Sequence, residues 1–235
     1  MERLKTALKA MLASMILGEA ISLGSLASTR GKLTTQNTST PFSAPTMLVA
    51  VLEPAVLALE VIAIALAVYS AKQLKNRQSW LPVAAAALFA VWVALNFAAF
   101  LPLSLTAMKQ GSVELARLAL TIKAAAAIMQ YAVPLLLAYP AARDSKARTA
   151  LLLALSLTIV GGLGTTATPI PIVKLKPVST QGGVIYAPTY EVDYAQWPYP
   201  AYLALSHLGG ILYILAYASI ILRNASKLTG QSTEK

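Results

Sequence analysis

The chain contains no cysteine. That removes disulfides, thiolate metal sites, iron–sulfur clusters and cysteine nucleophiles. A single histidine, His207, rules out a bis-histidine haem within one chain and leaves no partner for a histidine-built zinc site. No nucleophile elbow, HExxH, Walker loop or CxxC occurs, and the polar segments are too short for a separate catalytic domain. The expectation is a protein that is not an enzyme and has no catalytic residue, cofactor or metal. Charge is also scarce. Only 12% of residues are charged, about half of the ~25% typical of a soluble domain. In their place, 57% of residues are hydrophobic, gathered into runs near the ~20 residues a helix needs to cross a bilayer.

The most informative run is 47–71, apolar except for Glu53 and Glu60. Two acids seven residues apart share one helix face. A charge near the bilayer centre costs at least ~2.5 kcal/mol, so that face needs a protein interior, a water-filled cavity or bases to pair with. Five further runs, 10–28, 81–105, 113–139, 149–168 and 201–222, complete an all-α, polytopic membrane bundle of six transmembrane helices in a single domain. The first run competes with a cleaved secretory signal. It is longer than the usual signal core and holds Glu19, so a retained span is the better reading.

Lysine and arginine orient the bundle. Twelve fall in the N-terminus, the second and fourth loops and the tail; five fall in the other three loops; Arg117 and Lys123 lie inside a span. The positive-inside rule then places both termini in the cytoplasm of a cell-membrane protein. It also accounts for the net charge of +10 without nucleic-acid contact. The sequon Asn37-Thr38-Ser39 and the long loop 169–200 fall outside. Within that loop, β-prone stretches flank Thr180-Gln181-Gly182-Gly183, which reads as a hairpin. Tyr186, Tyr190, Tyr194, Trp197, Tyr199 and Tyr202 read as an aromatic belt at the outer interface, with a lid or docking surface as the sharper alternative.

The polar residues inside the spans form two expected layers. Glu19, Glu60, Asn96 and Lys123 lie near the midplane; Glu53, Arg117 and His207 lie closer to the outer face. Three acids against two bases leave one carboxylate over, and a carboxylate without a counter-charge in a low-dielectric site tends to keep its proton. A protonatable acid beside an ion pair is raw material for a proton or cation pathway. Structural pairing within the bundle, or to another subunit, is the plainer alternative. Pro54 and Pro134 predict kinks in the second and fourth spans. The glycines at 161, 162, 164, 209 and 210 read as sites of close helix approach. Six spans with such an interior point to a transporter or channel for a proton, ion or small solute, in the lipid bilayer and as a homo-oligomer or with other membrane subunits. The alternative is a membrane subunit of a respiratory complex, an ABC-type permease served by a cytoplasmic ATPase, or a macromolecule (DNA) translocation machine. Its intramembrane charges would then pair with partner subunits.

Overall fold

The computed structural model describes residues 2–29, 44–71, 79–142, 144–167, 171–180, 183–192 and 197–230. Apart from one pair of strands, the described chain is helical. The helices are α1 (Glu2–Thr29), α2 (Ala44–Ala71), α3 (Leu81–Ala94), α4 (Leu101–Gln110), α5 (Val113–Ala138), α6 (Ser145–Ala167) and α7 (Tyr199–Gly230). A π-helical stretch, Leu95–Phe100, joins α3 to α4, and the three count as one rod. Six helices are long and apolar enough to cross a membrane: Glu2–Gly24, Leu52–Ala71, Leu81–Ala107, Glu114–Ala141, Ser145–Ala167 and Tyr199–Arg223. Most helices extend past the apolar runs. Hydrogen bonding carries on through good helix formers such as Glu2, Arg3, Leu4 and Lys5, whatever their hydropathy.

The strands β1 (Pro171–Thr180) and β2 (Gly183–Val192) pair antiparallel, from Pro171 opposite Val192 to Thr180 opposite Gly183. The sequon at 37–39, residues 181 and 182 of the expected turn, Asp193 and Tyr194 lie outside the described residues.

Two local devices shape the bundle. Pro102 has no N–H to return to the carbonyl four residues back. Just before it the helix widens, and the Leu101 N–H reaches five residues back to the Asn96 carbonyl. This π turn was not evident from the apolar pattern. Between α4 and α5 the chain reverses at Gly111, whose φ of 63° is left-handed and suits glycine. Ser112 then caps α5, its Oγ accepting from the Leu115 N–H at 3.3 Å.

Consecutive spans pack side by side, and α7 closes on α1, so the six rods form a ring. One end of the ring holds Glu2, Ala71, Leu81, Ala141, Ser145 and Arg223. There the interior is dry and close-packed: Met11, Leu137, Leu151 and Tyr217 are fully buried, beside Ala7, Ala63, Ala67 and Phe89. Arg3 lies 4.4 Å above the Tyr69 ring at this end. The perimeter is the reverse of a soluble protein's, with Val61, Ile62, Leu118, Leu152, Leu153, Val160 and Leu215 exposed.

The same end carries an exposed ion pair between Asp144 and Arg223. The Arg223 guanidinium, and after it the Lys146 backbone N–H, hold the Asp144 carboxyl below the ordinary aspartate range. A carboxyl depressed by folding stabilises the fold above its unfolded pKa, ~3.9, and loses that contribution as the pH falls through its folded value. Asp144→Asn is expected to lower the melting temperature slightly at neutral pH, exposed pairs being weak. The gap to wild type should close in strong acid. Melting curves across that pH range check both points.

Candidate functional site

The opposite half of the ring is built differently. Between α3, its π turn, α5, α6 and the start of α7 lies a cavity of about 400 Å³. Residues 120, 123, 127, 130 and 131 of α5 line it; their spacing is that of one helical stripe. From the other walls come Trp92, Asn96, Thr165, Thr166 and Tyr199. The π turn sets the Asn96 wall. Asn96 Nδ2 donates to the Trp92 carbonyl at 2.9 Å, giving a second donor to a carbonyl beside the widened ladder.

Two carboxyl groups lie behind the Gln130–Tyr131 wall. Helix α1 touches both α2 and α7, and Ser14 and Glu19 project ~140° apart around it. Ser14 turns to α2, where its Oγ donates to Glu60 Oε1 at 3.4 Å. Gln130 hydrogen-bonds the same carboxyl group. Glu19 turns to α7, where Oε2 lies 2.8 Å from His207 Nδ1; the side chains are 21% and 14% exposed, so the pair is mostly shielded. Gly210 makes this possible. A Cβ there would come within 1.8 Å of Glu19 Oε1, so any larger residue would evict the carboxyl group. His207 Nε2 is buried with no partner among the described residues. Placing the ring proton on Nε2 would strand a buried donor, so the Nδ1–H tautomer facing Glu19 is favoured for the neutral ring.

The two carboxyl sites join through neighbours in sequence. Ser206 precedes His207 and hydrogen-bonds the Tyr131 hydroxyl, while Gln130 precedes Tyr131. Toward the dry end, the Tyr213 hydroxyl donates to the Tyr131 carbonyl at 2.9 Å and Tyr217 to the Pro134 carbonyl at 2.5 Å. These two tyrosines plug the ring below the polar groups.

The candidate residues from the sequence therefore separate into four sets. Glu19 and His207 are brought together, across 188 residues. Glu60 sits with Ser14 and Gln130. Asn96 and Lys123 line the cavity. Glu53 and Arg117 are exposed near the ends of their spans. Among the described residues neither Arg117 nor Lys123 forms an ion pair with a carboxylate. The expected acid–base pairing does not form because Lys123 faces the cavity while Glu60 and Glu19 lie behind Gln130 and Tyr131. Ser14, Gln130, Tyr131, Ser206 and Gly210 also belong to the site. Gln130 and Gly210 are visible as features of the sequence, whereas a single serine in an apolar run gives no signal.

The chain matches no protein-family model, no curated protein and no solved structure. What the cavity does must follow from its own chemistry.

Lys123 is the odd member. Its Nζ lies 5.4 Å from the Phe100 ring centroid, a weak cation–π contact. Breaking a buried ion pair costs ~3–5 kcal/mol. With no such pair to break, Lys123→Ala is expected to melt within roughly 1 kcal/mol of wild type. Thermal unfolding in detergent checks this, and a large drop would mean that a carboxylate contacts the ammonium.

Proposed function

We propose that the protein is a multi-pass transporter of the cell membrane, with both termini in the cytoplasm. Its cavity is a vestibule facing the outer side, and its buried carboxyl groups handle protons. One observation carries this reading. The ring is closely packed in the half that holds Glu2 and Arg223, and in the other half it holds a polar cavity backed by two carboxyl groups. Apolar packing alone has no use for Glu60, Glu19 and His207 at that depth, where each ionisable group is costly. A conformation closed on one side and hollow on the other is what alternating access requires. The lysine and arginine bias supports a cytoplasmic position for the sealed half. Gln130 separates Glu60 from the cavity, and a change of its rotamer would expose the carboxyl group to water there. The Glu19–His207 pair offers a second place where a proton can rest.

The test is reconstitution. Proteoliposomes containing the purified protein and an internal pH dye should acidify under an imposed proton gradient faster than empty vesicles, in the presence of a transported solute. No solute in a broad panel accelerating acidification would remove the proposal. Exposed Glu53 and Arg117 favour a second reading, as a membrane subunit whose perimeter charges meet a partner. Purification from native membranes with a stoichiometric second subunit would favour that reading.

A further inference from the structure

The cavity has a charge imbalance that bears on its occupant. Its lining includes one cation, Lys123, and no carboxylate. Lys123 lies midway through the third turn of its span, about 14 Å from Glu114 along the helix. Its ammonium has an aromatic ring for a neighbour and no ion-pair partner among the described residues. Thus the hollow side of Lys123 offers an uncompensated positive charge at membrane depth.

The rest of the lining completes a recognisable site. Trp92, Leu120 and Ala127 supply apolar wall, while Asn96 and Gln130 supply amide groups. The Thr165 and Thr166 hydroxyl protons are already committed to the Gly162 and Leu163 carbonyls. With their protons committed, these two hydroxyls have only lone pairs to offer the cavity, so a donor for an anion comes from the ammonium rather than from them. At about 400 Å³ the cavity falls toward the small end of small-molecule pockets. An ammonium beside amides and an aromatic wall fits a solute with one anionic group and a compact apolar body.

We propose that the cavity binds a small organic anion, with Lys123 as its counter-charge. This substrate class rests on reading the cavity as a transport vestibule. A proton taken up by a carboxyl group behind the wall would then travel with the anion, leaving little net charge to move across the bilayer.

Trp92 provides a reporter within the cavity. The purified full chain in detergent is titrated with benzoate, lactate, tetraethylammonium and glycerol while tryptophan emission is followed. Benzoate, and lactate more weakly, should change the emission saturably; tetraethylammonium and glycerol should not. Lys123→Gln should weaken benzoate binding by roughly tenfold or more, and Lys123→Arg should restore most of it. Trp92→Phe should abolish the signal, and circular dichroism confirms that each variant is folded. Saturation by the cation or the neutral solute but not by the anions overturns the proposal. So does the absence of saturation by any probe, or unchanged benzoate affinity in folded Lys123→Gln. Saturable benzoate binding without vesicle flux would reject transport and leave the anion site standing. Solute-driven proton flux without anion binding would do the opposite.

Discussion

Gly161→Ala is expected to lower the unfolding free energy by about 1–3 kcal/mol or more, the range of overpacking in a tight core. A Cβ at position 161 would lie 2.3 Å from the Ser206 nitrogen, 2.6 Å from its Cα and 2.7 Å from the Tyr202 carbonyl oxygen. All three are backbone atoms of α7, so no rotamer change relieves the clash and the two helices must part. That separation would also disturb Ser206 and His207, which hold the Tyr131 hydroxyl and the Glu19 carboxyl. Gly18 provides the control. A Cβ there meets nothing within 4 Å, and alanine is the better helix former by ~0.5–1 kcal/mol. Unfolding of both variants in detergent should therefore move in opposite directions. Equal stability of the two would mean that α6 and α7 are not in such close contact.

Glu60→Gln is expected to cut solute-coupled proton flux roughly a hundredfold, to the leak of empty vesicles, the scale on which loss of a proton-transferring group is felt. The substitution keeps the size of the side chain. An amide can still accept from Ser14, and the Gln130 amide can turn to pair with it, so the fold should survive. What disappears is the ability to take and release a proton. Glu60→Asp keeps the acid on a shorter stem and should retain part of the flux. The measurement is the dye assay in vesicles, with protein content and melting temperature matched between variants. Wild-type flux in a well-folded Glu60→Gln protein would end the proton role of this residue.

The six rods could be read from the sequence because hydropathy is additive along a helix. Their ends could not, because hydrogen bonding ignores hydropathy. Glu2 and Lys5 are polar, yet they continue α1. The π turn lies between Asn96 and Pro102, and in the sequence each reads as an isolated polar or proline residue. The partner of Glu19 was the harder problem. Arg117 and Lys123 offered formal charge, whereas the carboxyl group meets His207, from the far end of the chain. That choice depends on which helices touch, and only closure of the ring decides it. Gly210 reads as a packing glycine from its neighbour Gly209, but it clears space for a carboxyl oxygen. Tyr213 and Tyr217 pass as members of an apolar run, because hydropathy does not register a hydroxyl aimed at a backbone carbonyl.

Ring closure also sets an order of assembly. Among the described helices α1 comes first in the chain, and the helix that gives its acid a hydrogen-bond partner comes last, 188 residues later at His207. Until then the nascent chain holds an unsatisfied acid, and a polypeptide stalled before the sixth span would keep it. A chain cut before α7 is therefore expected to hold α1 less firmly than the full chain does, because Glu19 would lack its hydrogen-bond partner on α7.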